Sequence, residues 1–427
     1  MVPHLTTALN GPLLELEQRI LDGSSAIERW FRLRWQAHES PFYTSVDLRN
    51  SGFKLAPVDT NLFPGGFNNL NAAFIPLAVQ AATSLIERIC PEARNLLLIP
   101  ENHTRNRWYL ENVAVLATIL RQTGLEVRLG SLNPEITAPT ELETATGKKL
   151  TIEPLVRNGA RLGVAGFDPC AVLVNNDLSS GIPDILKGLH EQVLLPPLHA
   201  GWAVRTKSRH FHAYDDVAAD FAQLLKIDPW LVNPYHAQCG EIDFQARAGE
   251  ECLASNVSML LEKIRIKYLE YGIKDTPYVA VKADAGTYGM GVMMVRDAAE
   301  VRDLNRKQRN KMAVVKEGLV VSNVIIQEGV HTVERIEDKV AEPVVYMIGQ
   351  HVIGGFYRVH GARGAEDNLN APGMHFVPLA FANSCNLPDC RATAAGSAPN
   401  RFYAYGVVGR LAAAGAALEL ERTVPAA

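Results

Sequence analysis

The sequence predicts an α/β protein, on three observations. Between Leu70 and Leu132, runs of helical apolar spacing alternate twice with short leucine-rich and β-branched runs, the pattern of a parallel sheet flanked by helices. The stretch Tyr278 to Val295, YVAVKADAGTYGMGVMMV, reads as strand, glycine loop, strand. Further on, EPVVYMIGQ and HVIGGFYRVH read as two strands joined tightly at Gly349-Gln350. With 427 residues, 47% of them hydrophobic, the chain can bury a large core and divide into two or three domains.

In chain order, residues 13 to 35 carry apolar positions at helical spacing broken by Asp22-Gly23-Ser24-Ser25, which predicts two helices and a turn. Residues 45 to 71 are rich in Asn, Asp and Gly. Within them Asp59 and Asn61 are two apart, so on an extended chain their oxygens share a face. Such a pair suits Mg²⁺; the competing reading is a turn in which these side chains bond their own backbone. The segment 70 to 132 then supplies helix, strand, helix, strand. Its loop Glu101 to Arg107 leaves the carboxyl end of a strand, where α/β sheets bind ligands, though a helix-capping loop explains it equally. Residues 133 to 150 are turn-rich and predict an exposed hairpin or connection. A strand at 171 to 177 ends in Asn175, Asn176 and Asp177.

Residues 196 to 214 carry Arg205, Lys207 and Arg209 at alternate positions. On a strand these three would line one face, ready for carboxylates or phosphates, or form an ordinary solvated face. His210 and His212 would likewise share a face, without the third ligand that a metal needs, and read as surface or substrate-side residues. Helices follow at 214 to 226 and 249 to 271, then the lysine strand, the glycine loop and a charged helix at 297 to 313. The strand at 324 to 330 ends in Gln327 and Glu328. The hairpin after it carries Glu342 and Arg358, and a loop at 361 to 373 contains Asn368 and Asn370. The closing segment, FYAYGVVGRLAAAGAALELE, is Ala-rich and helical, and its charges argue against a membrane span.

The net charge is -4 and no long basic run occurs, which argues against a nucleic-acid or anionic-membrane partner and leaves small charged substrates. The start of the chain lacks the features of a secretion signal, and no run of 18 or more apolar residues is evident, so a cytoplasmic location is expected. The six cysteines lack CxxC spacing; buried thiols are the default, and Cys385 and Cys390 lack the second pair that a zinc site requires.

The strand that ends at Lys282 and the loop with Gly286, Gly289 and Gly291 carry the chemistry. Glycine amides can approach a polyphosphate closely, and a lysine beside them supplies a point charge. ATP is the ligand this suggests. The spacing G-x-x-G-x-G, with no helix directly after it, matches neither the P-loop nor the dinucleotide fingerprint.

The order of lysine strand, glycine loop, helix, Gln-Glu strand, and a hairpin with Arg and then Asn resembles the ATP-grasp fold. VVYMIGQHVIGGFYRVHG and NLNAPG are similar to the corresponding part of glutathione synthetases. The Glu-x-Asn metal pair of typical ATP-grasp chains does not follow the hairpin; Val58-Asp59-Thr60-Asn61, far upstream, resembles the permuted arrangement of eukaryotic glutathione synthetases. Over essentially the whole chain, PVDTNLFPGGFNNLN and VKADAGTYGMGVMMV resemble the proteobacterial glutamate-cysteine ligase family.

What the resemblance implies is an ATP-grasp-like fold with a Rossmann-like substrate domain and a glycine-rich lid. The expected units are 1–69 (helices and metal motif), 70–215 (substrate binding), 216–385 (nucleotide lobes) and 386–427 (C-terminal helix). The implied reaction joins the γ-carboxyl of glutamate to the amine of cysteine through an acyl phosphate, with ATP and Mg²⁺, as the first step of glutathione synthesis. Such a transfer needs positioning and charge stabilisation rather than a covalent nucleophile.

In that scheme Lys282, Arg358 and Asn370 are catalytic. Lys282, Gly286, Thr287, Tyr288, Gly289, Gly291, Gln327 and Glu328 hold the nucleotide, and Asp59, Asn61 and Asp284 hold the metal. Arg49 and one of Arg205, Lys207 and Arg209 receive substrate carboxylates. A glutathione synthetase or another ATP-grasp amino-acid ligase stays open, as does a nucleotide-binding regulatory protein without turnover. The sequence does not fix the oligomeric state; a homo-oligomer is compatible with it.

Overall fold

The computed structural model describes residues 12–286, 291–314, 320–379 and 401–425. Helices α1 (Pro12–Asp22) and α2 (Ser24–Ala37) come first, followed by an antiparallel hairpin of β1 (Tyr43–Asn50) and β2 (Leu55–Asn61). Then come α3 (Ile75–Ile89), β3 (Asn95–Pro100), α4 (Arg107–Gln122) and β4 (Glu126–Ser131), in the predicted alternation. Strands β5 (Thr140–Glu143) and β6 (Lys149–Asn158) form the expected hairpin, and β7 (Arg161–Val164), β8 (Ala171–Asn175) and β9 (Val193–Leu195) follow. These strands make one seven-stranded sheet in the order β5-β6-β4-β3-β8-β9, with β7 beside β6; neighbours from β6 to β9 run parallel.

Next come α5 (Lys207–Leu225), β10 (His236–Cys239), α6 (Glu250–Glu270), β11 (Val279–Ala283), β12 (Val292–Val295), α7 (Ala299–Arg302), α8 (Arg306–Ala313) and β13 (Val324–Glu328). Their strands form a four-stranded antiparallel sheet, β10-β13-β11-β12. The last elements are β14 (Arg335–Ile336), β15 (Lys339–Ile348), β16 (His351–His360), β17 (His375–Pro378) and α9 (Arg401–Arg422). Here the ends of the chain meet, because β1 and β2 complete a six-stranded antiparallel sheet, β17-β16-β15-β1-β2, with β14 paired to β15.

The six-stranded sheet is buried on both faces: its strands are buried almost continuously, and successive side chains point to opposite sides. Val46, Leu48, Val345 and Val359 enter one core, formed with α1, α2, α5, α6 and α9. Tyr43, Val344, Tyr346 and Phe356 enter a second core with α3 and α4. Fully burying a side chain such as Phe221 contributes about 1.5–3 kcal/mol. The small residues of α9 let it lie close to its neighbours: a Cβ on Gly415 would stand 3.2 Å from Tyr214 Cα of α5.

The expected α/β class is therefore observed, with two differences. The cationic segment at 205 to 209 is not a strand: Thr206 accepts a hydrogen bond from the Arg209 amide and caps α5, so 205, 207 and 209 do not share a face. The charged helix at 297 to 313 is two short helices, with Asn305 capping the second in a reciprocal bond with Gln308. By length and composition Ala72–Ile89 is apolar enough to cross a membrane, although Gln80, Thr83, Ser84, Glu87 and Arg88 interrupt its apolar run; its Ala78, Ala82 and Leu85 are buried in the core shared with Tyr346 and Ile353.

Candidate active site

The six-stranded sheet and the four-stranded sheet face each other across a cavity that is partly open to solvent. The first sheet contributes a row of charge. Asp47 of β1 lies directly opposite Asp59 of β2, and Glu342 of β15 opposite Arg358 of β16. Arg358 Nη1 donates to Asp47 Oδ2 at 2.8 Å and to Glu342 Oε1 at 2.5 Å. Glu342 Oε2 accepts from Arg49 Nε at 2.9 Å, so one carboxylate fixes two guanidinium groups. Arg49 also donates to the carbonyls of Val330 (3.2 Å) and Asp367 (2.5 Å). Burial pushes the Glu342 carboxyl up, but the two arginines outweigh it and hold it below its ordinary value. For Asp47 burial wins over Arg358, and its carboxyl is raised.

The second sheet contributes Lys282 of β11. Its Nζ donates to Gln327 Oε1 at 2.6 Å and to the Val58 carbonyl at 2.8 Å, next to Asp59 in β2. Burial pushes the ammonium down to about 8, with Asp59 opposing the shift. Lys207, in the first turn of α5, donates to both Asp59 oxygens at 2.8 and 3.0 Å and lies 4.4 Å over the Trp202 ring. Burial would raise the Asp59 carboxyl; Lys207 and Lys282 outweigh it and hold it at about 2. Two buried donors here, Gln327 Nε2 and Arg358 Nε, have no hydrogen-bond partner among the described residues.

Of the residues predicted to act, Arg49, Asp59, Lys207, Lys282, Gly286, Gln327, Glu328, Arg358 and Asn370 all line this cavity. Gly286 and Gly291 have φ of 97° and 60°, left-handed conformations that glycine adopts without Cβ strain. Thr287, Tyr288 and Gly289 lie outside the described residues.

The remaining predicted residues, and the side chain of Glu328, are engaged elsewhere. Asn61 follows the turn reading: its Oδ1 accepts from the Phe63 amide at 2.9 Å, and it does not line the cavity. The Asp284 carboxylate caps α5, accepting from the Ser208 amide (2.8 Å) and hydroxyl (2.6 Å). It lines a neighbouring cavity with Trp202, Thr206 and Asn323, so helix capping replaces the metal role expected for it.

Arg205 is buried, donating to Glu419 (2.9 Å) and to the Thr60 carbonyl (2.7 Å); it has no exposed face for a substrate carboxylate. Arg209 is exposed in the first turn of α5, away from the cavity. His210, expected at the surface or substrate side, is buried against Glu419 at 3.1 Å. Alternation along β13 sends the Glu328 side chain to the face opposite Gln327, where its carboxylate accepts from Lys54 Nζ (2.7 Å), Trp230 Nε1 (3.0 Å) and the Tyr235 amide (2.9 Å). In the Glu101–Arg107 loop, Asn106 caps α4 by accepting from the Tyr109 amide.

Two residues of the charge row were not assigned a role from the sequence, Asp47 and Glu342. The signal for Asp47 was available: in SVDLRN it stands two residues from Arg49, the same spacing that singled out Asp59.

Across nearly its whole length, residues 17–420, the chain matches the family model described as glutamate-cysteine ligase. It is 66% identical to a candidate gamma-glutamylcysteine synthetase from Methylobacillus flagellatus KT, whose crystal structure was solved at 1.90 Å; the match covers 99% of this chain and 100% of that one, with a TM-score of 0.91. Two more distant solved structures are a D-alanyl-alanine synthetase A from Vibrio cholerae (11% identity, 60% of this chain and 68% of that chain, TM-score 0.27) and a glutathione synthetase-like effector from Globodera pallida (10%, 86% and 79%, TM-score 0.37). At those scores neither carries an argument about this chain. No curated protein matches the sequence.

Proposed function

The chain belongs to the glutamate-cysteine ligase family, and from that membership we propose how its cavity joins the γ-carboxyl of glutamate to the amine of cysteine, the first step of glutathione synthesis. The observation that carries the reading is the meeting of Lys282, from one sheet, with Asp59 and Arg358, from the other, in a single cavity. An unactivated carboxylate needs a better leaving group before an amine can displace it. ATP supplies one by phosphorylating the γ-carboxylate, and the cysteine amine then attacks the carbonyl and expels phosphate. We read the two facing sheets as the clasp of an ATP-grasp ligase, and the seven-stranded sheet as its Rossmann-like substrate unit.

In this reading the Lys282 ammonium, oriented by Gln327, meets the nucleotide phosphates. The free Gln327 Nε2 is a buried donor for the nucleotide as well. Glycines at 286 and 291 let the loop between them approach the terminal phosphate. Arg358, locked by Asp47 and Glu342, stabilises charge on the acyl phosphate and on the tetrahedral intermediate, with preorganisation that an unpaired arginine would lack. Asn370 assists from the loop above, and Arg49 and Lys207 receive carboxylates of the amino acids.

Magnesium suits the hard oxygen of Asp59, which faces the cavity, with Asp47 one strand away. When bound it would neutralise phosphate charge. Among the described residues no group of three His, Cys, Asp or Glu is arranged to hold a metal, so phosphates and water would complete its shell.

The test is phosphate release from ATP by the purified protein. Glutamate plus cysteine is expected to release phosphate, whereas γ-glutamylcysteine plus glycine is not; the opposite pattern would make it a glutathione synthetase, and silence in both would remove the ligase reading. A pH dependence follows as well. Lys282 carries its proton below about 8 and loses it above, so kcat/KM for ATP is expected to fall above pH 8. Bound phosphate stabilises the ammonium, so the corresponding fall in kcat should come at higher pH. A kcat/KM flat to pH 9.5 would rule out a role for that charge.

A further inference from the structure

Strand β10 ends at Cys239, and the third residue of α6 is Cys252. Their sulfurs stand 2.9 Å apart, both as free thiols. The Asn256 amide, one helical turn on, donates to the Cys252 carbonyl at 3.1 Å and stands 3.5 Å from Cys252 Sγ and 3.8 Å from Cys239 Sγ. The segment between the two cysteines is anchored by the buried Ile242 and Phe244 and by the paired backbones of Asp243 and Ala248. Cys239 is itself fixed by its pairing with Val324 in β13. A disulfide has its sulfurs about 2.0 Å apart, so closing this pair needs a movement of less than about 1 Å from anchored positions.

We propose that Cys239 and Cys252 are a modification site: a thiol pair that closes reversibly to an intramolecular disulfide by exchange with a small-molecule disulfide. Exposure sets the order of events. Cys252 is exposed and Cys239 is 2% exposed, so only Cys252 meets an incoming disulfide RSSR. Its sulfur attacks one sulfur of RSSR, forms the Cys252–SR bond and expels the first RS⁻. Cys239 then attacks Cys252 Sγ, forming the protein disulfide and expelling the second RS⁻. Two protein thiols are oxidised, RSSR is reduced to two RSH, and the two thiol protons go to the leaving thiolates. Burial, with the neighbouring Cys252 adding to it, pushes the Cys239 thiol up to about 11, which also marks it as the second sulfur to react. The product ties the first turn of α6 to the edge strand of the sheet that carries Lys282. The proposal is independent of the ligase reading.

The test treats the folded full-length protein with oxidised glutathione, then with iodoacetamide, and maps peptides without reduction. Expected is a Cys239–Cys252 cross-linked peptide, no glutathione retained at Cys252, and a roughly tenfold loss of alkylation at Cys252, all reversed by dithiothreitol. In Cys239→Ser, Cys252 should instead hold glutathione as a stable mixed disulfide. Should that buried variant not fold, Cys252→Ser serves: its Cys239 is expected to stay unmodified. Glutathione retained on Cys252 of the unaltered protein, unchanged alkylation there, or glutathione on Cys239 of Cys252→Ser would each overturn the proposal.

Discussion

Replacing Lys282 with methionine is expected to lower kcat/KM for ATP by about 10²–10³-fold, the scale on which one preorganised charged donor is lost from a transition state. Methionine keeps the apolar stem and removes the ammonium, with its charge and its hydrogen-bond donors. The ammonium is expected to add little net stability: its hydrogen-bond partners are a side-chain amide and a backbone carbonyl, and burial outweighs the pull of Asp59 on its charge. Urea unfolding of the variant should therefore show stability equal to or above that of the unaltered protein. Steady-state kinetics beside that denaturation curve separates the cases. A destabilised variant with unchanged kcat/KM would mean that Lys282 is structural and that the nucleotide binds elsewhere.

Replacing Arg205 with alanine should do the reverse. The side chains of Arg205 and Glu419 are each 2% exposed. Removing one partner of such a pair leaves a buried charge uncompensated, at a cost of about 3–5 kcal/mol. Burial raises the Glu419 carboxyl, and Arg205 foremost holds it below its ordinary value; without Arg205, His210 is the one partner left to that carboxylate among the described residues. The variant should unfold at markedly lower urea concentration, while KM for glutamate and cysteine stays unchanged under conditions where it is folded. The double variant Arg205→Met with Glu419→Leu should recover much of the loss, since no unpaired charge is left. A raised KM without a stability change would return Arg205 to the substrate site.

These two residues also mark what the sequence makes legible. The strand that carries Lys282 is readable because everything that marks it is local: an apolar run before the lysine, glycines after it, and a second apolar run. The same holds for the alternation of α3, β3, α4 and β4, where each element's periodicity lies within its own residues. Arg205 was misread because spacing of two is equally a strand face and the approach to a helix. The capping Thr206 and the apolar positions Tyr214, Val217, Ala218 and Phe221, spaced by three and four, favoured the helix.

Asp59 and Asn61 carried the same ambiguity, and each resolved differently. Asp59 meets Lys207, whereas Asn61 bonds the backbone two residues on. Asp284 could not be sorted at all from its neighbours, since the helix it caps begins at Lys207. Glu342 was seen on its strand, but its bond to Arg49 depends on β15 pairing with β1. Pairings of such long range leave no periodic trace in either strand.

That long-range pairing also governs the order in which the protein can be assembled on the ribosome. Tyr43 pairs with Ile348, so the hairpin of β1 and β2 emerges long before its partner strand is translated. At roughly 5–20 residues per second, the wait is on the order of 15–60 s. Throughout it Tyr43, Val46, Leu48 and Leu55, all fully buried in the finished protein, have no sheet to enter. The nascent hairpin must therefore keep this apolar face covered by other means until β15 arrives, and the row of Asp47, Arg49, Glu342 and Arg358 is among the last features to form.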